Sequence, residues 1–257
     1  MGIDRIAHDV TEDAVLGGRL RLRQPRRGHR VGHDAILLAA AVPARAGEAI
    51  VDLGAGVGAA GLALATRVEG IKLTMVELAP QLAALAAENA RLNGLSVQVA
   101  VLDVAAPARA FAAAGLRPEE VARVMMNPPF NDPARQRASP DRGRRLAHAA
   151  PRTALAAWTR TAARLLRPRG TLSLIWRADG LGDVLDALAP VFGATAVLPI
   201  YAKPGESAIR VLVRATKASR GPLQLLPGLV LSDQAGRTTH AADAILRSGE
   251  ALPLAKI

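Results

Sequence analysis

Ala49-Ile50-Val51-Asp52-Leu53-Gly54-Ala55-Gly56-Val57-Gly58 is an apolar strand that runs into a glycine-rich turn, and the helical pattern Leu62-Ala63-Leu64-Ala65 follows it. Strand, glycine turn and helix in that order open a nucleotide-binding α/β unit. Glycines let the backbone approach a ligand closely, and the helix beyond starts with unpaired amide donors. Alone, the turn leaves two readings open, because Gly54-x-Gly56-x-x-Ala59 also meets the fingerprint of nicotinamide-dinucleotide oxidoreductases.

Polar strand ends further along the chain narrow the choice. Ile71 to Glu77 and Val97 to Asp103 read as a second and a third strand, each closing on an acid. Val121-Ala122-Arg123-Val124-Met125-Met126 reads as a fourth, closing on Asn127-Pro128-Pro129-Phe130. The intervals are 25 residues from Asp52 to Glu77, 26 from Glu77 to Asp103 and 24 from Asp103 to Asn127. Each is one strand-plus-helix unit, which predicts that the four ends line one edge of a parallel sheet. Singly, each acid reads equally as a solvated strand end or a helix cap. Together they predict that Glu77 accepts from ribose hydroxyls, that Asp103 accepts from an adenine amine, and that Asp52 sits by the turn.

The loop Asn127-Pro128-Pro129-Phe130 is stiff and extended, since two prolines forbid both continued pairing and a helix start. Asn127 offers a side-chain carbonyl, Pro128 a main-chain carbonyl without a competing donor, and Phe130 a flat apolar face. That set suits a planar amino group: its two hydrogens go to Asn127 and Pro128, and its ring stacks on Phe130. Asn127 and Pro128 are thus the candidate catalytic residues, with Pro129 and Phe130 as substrate-binding ones. The cofactor-binding set is Asp52, Gly54, Gly56, Gly58, Glu77 and Asp103.

These motifs, with Arg26-Arg27-Gly28-His29-Arg30-Val31-Gly32-His33-Asp34-Ala35-Ile36-Leu37-Leu38-Ala39 before them, resemble those of class I S-adenosylmethionine-dependent methyltransferases of the small-methyltransferase group. Within it the chain is most similar to bacterial tRNA1(Val) adenine-37 N6-methyltransferases. The resemblance implies a doubly wound, Rossmann-like α/β sheet of seven strands, the last antiparallel. It also implies a hairpin and a Gly-x-Asp-x-x-Leu-Leu helix over roughly residues 14 to 42, and S-adenosyl-L-methionine as cofactor. The expected reaction is methylation of an exocyclic amine of a base in RNA, adenine N6 in a tRNA anticodon loop foremost. Phe130 stands where such loops often carry Tyr, which keeps guanine N2 open as the alternative. A protein amide or a small molecule is the other methyl acceptor to weigh.

The 257 residues divide into an amino-terminal hairpin and helix (1–45), a methyltransferase domain (46–217) and an irregular extension (218–257) with a short helix near Ala241 to Leu246. Half the residues are hydrophobic and none is cysteine, which excludes disulfides and thiolate metal sites. The five histidines have no ligand spacing, so no metal is expected. Ala35 to Val42 is apolar but too short to span a bilayer, and no secretory signal opens the chain. A cytoplasmic protein without a membrane partner is the expectation. The formal charge of +11 suits a polyanion, although only four of 33 basic residues are lysine, which points to compositional bias toward arginine. The arginines cluster: Arg19, Arg21 and Arg23 alternate along one strand face, and Arg135, Arg137, Arg142, Arg144 and Arg145 follow Phe130. Both clusters are expected to hold RNA phosphates at the mouth of the site.

Overall fold

A computed structural model describes residues 10–26, 31–129 and 143–256, without the side chains of 143–153. An antiparallel hairpin, β1 (Val10–Val15) and β2 (Leu20–Pro25), leads into helix α1 (His33–Ala41). There follow β3 (Ala49–Leu53), α2 (Ala59–Arg67), β4 (Lys72–Glu77), α3 (Pro80–Leu92), β5 (Val97–Val101), α4 (Ala108–Ala113) and β6 (Val121–Met126). The chain continues through α5 (Gly143–Leu165), β7 (Leu166–Arg177), α6 (Leu181–Leu188), β8 (Phe192–Tyr201) and β9 (Ala208–Lys217). Two-residue strands β10 (Gln224–Leu225) and β11 (Leu229–Val230) and helix α7 (His240–Leu246) complete it.

Seven long strands lie in the order β5-β4-β3-β6-β7-β9-β8, and β9 alone runs antiparallel to its neighbours. The doubly wound α/β sheet implied by the resemblance is therefore the fold. β10 and β11 add to it, both parallel to β8. The strands are apolar throughout because helices cover both faces. Alternate residues feed two cores: Ile50, Met75 and Met125 join α1 and α2, while Val51, Val76, Val124 and Met126 join Phe111 of α4 and Leu155 of α5. The strand order reverses between β3 and β6, which opens a crevice beyond their carboxyl ends.

Helix α1 explains the apolar run at Ala35 to Val42. All of Ala35 to Ala41 is buried, which an amphipathic surface helix would not allow. The outer face is covered by the end of the chain: Ala242, Ile245, Leu252 and Leu254 are buried, and the Leu252 amide donates to Ala40 O (2.8 Å). At its start Asp34 pairs with Arg210 Nε of β9 (2.9 Å).

Candidate active site

The turn after β3 is left-handed at Gly54 (φ 71°), Gly56 (φ 58°) and Gly58 (φ 87°), a region where a side chain is strained. Two of these glycines are also packed. A Cβ on Gly54 would lie 2.3 Å from Cη2 of Trp158, and one on Gly58 would lie 2.9 Å from Met75 Sδ. The main chain is pinned from beneath, with Gly54 N and Ala55 N both donating to Val76 O (2.8 and 3.0 Å).

Side chains fix the rest of the turn. Asp52, 2% exposed at the end of β3, accepts from Gly61 N (2.9 Å) and so caps the first turn of α2 from outside that helix. Burial pushes its carboxyl up to about 7; the Gly61 amide opposes this, and the nearby Glu77 charge adds to it. Glu77, 8% exposed, accepts from Gly56 N through one oxygen and Ala79 N through the other, both at 2.8 Å. Asn89 of α3 donates to Val57 O (2.9 Å).

The registers Leu53↔Met126, Leu53↔Val76 and Glu77↔Val101 set the order along the carboxyl edge: Asn127, the glycine turn, Glu77, then Asp103. Asp103 is exposed and accepts from Ala105 N (2.8 Å). Leu78 and Val101, next to these acids, are 62% and 56% exposed, which leaves apolar side chains open beside polar ones. Asn127 is half-buried, Pro128 buried and Pro129 exposed. Phe130 lies outside the described residues, as do Arg27, Arg30, Arg135, Arg137 and Arg142, and the side chains of Arg144 and Arg145.

Of the hairpin arginines, Arg21 is paired with Glu12 (3.4 Å), and Arg23 with Glu12 (3.1 Å) and Glu88. Arg19 donates to Leu16 O (3.3 Å) and precedes β2 rather than lying on it. The period-two pattern does place Arg21 and Arg23 on one face, but with carboxylates already on them. Trp158 and Asn89 were not legible as site residues. For Trp158 a signal existed, since it is one of two tryptophans in a chain that is 2% aromatic. Among the described residues no cluster of His, Cys, Asp or Glu is placed to hold a metal ion, and no helix is long and apolar enough to cross a membrane.

The left-handed glycine turn, the buried Glu77 beside it and the open apolar side chains of Leu78 and Val101 fit an adenosyl group with an attached amino acid. Comparison with known proteins agrees. A model of the "Methyltransferase small domain" family matches residues 29–202. A tRNA1(Val) (adenine(37)-N6)-methyltransferase of Enterobacter sp. (strain 638) is 36% identical over 119 residues. That match covers 44% of this chain and 45% of the relative, so the chain spans under half the length of that protein. A predicted O-methyltransferase from Agrobacterium tumefaciens superposes with a TM-score of 0.72 at 31% identity, over 85% of this chain and 98% of that one. A Thermus thermophilus 16S rRNA N2 G1207 methyltransferase, solved with AdoMet and guanosine, shares the fold at a TM-score of 0.55 and 22% identity, over 81% of this chain and 50% of that one. These matches set aside the oxidoreductase reading of the turn. The protein is a member of the small-methyltransferase family, whose methyl donor is S-adenosyl-L-methionine.

Proposed function

We propose that the protein methylates an exocyclic amine of a base in RNA, adenine N6 in a tRNA anticodon loop. The observation that carries this reading is the pairing of β3 with β6 through Leu53↔Met126, which brings Asn127-Pro128 beside the glycine turn. S-adenosyl-L-methionine supplies the electrophilic methyl group when bound at that turn. The amine lone pair is delocalised into the base, so it attacks poorly until its hydrogens are held out of the ring plane. Asn127 Oδ1 and Pro128 O are two acceptors for two hydrogens, while Phe130 gives the ring a face to stack on. Orientation of this kind needs no strong base. A hydroxyl acceptor has one hydrogen, which would leave one of these two acceptors without a partner.

An unpaired base reaches such a site without a duplex being opened, which favours a loop. The arginine excess suits a phosphate backbone, and the Enterobacter relative is named for a tRNA adenine. Incubation with labelled S-adenosylmethionine and unmodified bacterial RNA, followed by nucleoside digestion, tests the proposal. Label in N6-methyladenosine of the tRNA fraction is expected. Label in N2-methylguanosine would keep the geometry and change the base, and absence of any labelled nucleoside from a protein that binds the cofactor would refute an RNA acceptor.

A further inference from the structure

We infer that Asn89 is a positioning residue that couples the amino-terminal hairpin to the glycine turn, so that events at strand β2 and at the cofactor pocket are energetically linked. This rests on reading that turn as the cofactor cradle. One edge of β2 pairs with β1, and the other faces α3, where the amides and carbonyls of Arg21 and Arg23 need partners. Two asparagines supply them. Asn93 Oδ1 accepts from Arg21 N (2.9 Å) and its Nδ2 donates to Arg21 O (2.7 Å). Asn89 Oδ1 accepts from Arg23 N (2.7 Å) and its Nδ2 donates to Arg23 O (2.9 Å). Each side chain thus exchanges the pair of bonds that a neighbouring strand residue would.

The match is one of helical and strand repeats. Four residues of helix rise about 6 Å, and two residues of strand advance about 6.6 Å, so amides at i and i+4 of α3 fall opposite alternate residues of β2. A helix stands in for a strand, and the edge of the hairpin is closed.

The two asparagines differ in the last hydrogen of each amide. That of Asn93 goes to Asn89 O (2.7 Å) and stays on the helix. That of Asn89 goes to Val57 O (2.9 Å), inside the glycine turn, from a side chain with no exposure to solvent. One buried amide therefore holds Arg23 twice and the turn once. The Arg23 guanidinium is held by Glu12 and Glu88, the residue next to Asn89, so an anion that draws Arg23 away pulls on the same strand residue. Coupling between two sites is reciprocal, so cofactor binding must in turn tighten β2.

The test compares Asn89→Asp with Asn93→Asp. Each keeps the acceptor for a strand amide and loses both donated bonds, but only the first touches the turn. Asn89→Asp is expected to raise both Kd and KM for S-adenosylmethionine at least about fivefold, the low end of usual site coupling, with kcat at saturation unchanged. Asn93→Asp is expected to leave both constants in place. Amide exchange on the unaltered protein provides a second readout that needs no variant to fold. Saturating cofactor should slow exchange at Arg23 by at least about fivefold while leaving Leu226, bonded at the far edge of the sheet to Val197 O, as it was. Equal shifts from the two variants, or no change at Arg23, would overturn the coupling. A protein that fails to bind S-adenosylmethionine at all would instead overturn the cradle reading on which it rests.

Discussion

Gly54→Ala tests whether the first glycine of the turn is required by conformation, by space, or by both. The residue sits at φ 71°, where a side chain meets its own carbonyl at about 1–2 kcal/mol. Its new Cβ would also lie 2.3 Å from Trp158 Cη2 and 2.9 Å from Cζ3, so the indole must retreat by roughly 1 Å to restore ordinary packing distance. Trp158 is half-buried and packs against the core on the α5 face, and overpacking there adds about 1–3 kcal/mol. The sum is a loss of about 2–5 kcal/mol, read as a lower urea midpoint at constant slope. Trp158→Phe removes the far edge of the ring that a Cβ would strike. In a double-mutant cycle the phenylalanine should therefore recover at least about 1 kcal/mol of the Gly54→Ala loss and leave the conformational part in place. A near-neutral Gly54→Ala, or a double variant whose losses simply add, would refute the reasoning.

Asp52 titrates near 7 in the folded chain, against 3.8 for an ordinary aspartate, so between those values the folded state holds the extra proton. Stability from this group must then fall as pH rises from about 4 to about 7, and Asp52→Asn should flatten that part of the unfolding profile relative to the wild type. Glu77→Gln keeps one acceptor and discards the charge, so cofactor affinity measured by calorimetry should drop about tenfold or more; wild-type affinity would remove Glu77 from the pocket. Asn127→Ala should cut kcat about 100-fold through poorer alignment while the cofactor still binds, and the reverse pattern would end its assigned role. Replacing Arg19 and Arg21 by Gln should weaken RNA binding and lower the slope of log K against log salt by about 0.7 for each phosphate no longer neutralised. An unchanged slope would make these arginines mere surface charge.

What the sequence made legible was local and periodic. The strands ending at Leu53, Glu77 and Met126 could be located because buried parallel strands are continuous apolar runs, and the spacing between their ends is one strand-plus-helix unit. Helix Leu181–Leu188 is strongly amphipathic, with Val184 and Leu188 buried, and such a period is carried by the sequence alone. Arg167-Pro168-Arg169-Gly170 reads as a helix stop, and α5 does end at Leu165; β7 begins at Leu166 opposite Val121, and the four residues then have no partner on β6 or β9 until Thr171, with Arg169 at φ 66°. Trp158 against Gly54, and Asn89 against Val57 and Arg23, join residues 104, 32 and 66 positions apart. No pattern along one chain encodes such contacts, because they are fixed only when α3 and α5 dock on the sheet. The same holds for the cover over α1, whose run of alanines says only that something must bury it.

The acids that end β3 and β4 are both spent on backbone amides around the glycine turn. Backbone amides shielded from water need partners. In the turn itself Gly56 N goes to Glu77, Gly54 N and Ala55 N go to Val76 O, and Gly58 N goes to Ala55 O, while Asp52 holds Gly61 of α2 and Glu77 also holds Ala79 ahead of α3, so the turn is held in shape by the protein itself. A ligand that enters a preformed turn loses less affinity to ordering the backbone. Occupancy of Glu77 by two amides does not close it to a ribose either. A carboxylate has about four lone-pair sites, and two are taken, one on each oxygen, so one remains on each for a hydroxyl. Asp52 is different: at 2% exposure, with its charge opposed by burial, it has no route to a ligand and acts on the turn from below. Two acids that look alike in the sequence therefore differ: Glu77 shapes the turn with an acceptor site left on each oxygen, and Asp52 shapes it from full burial.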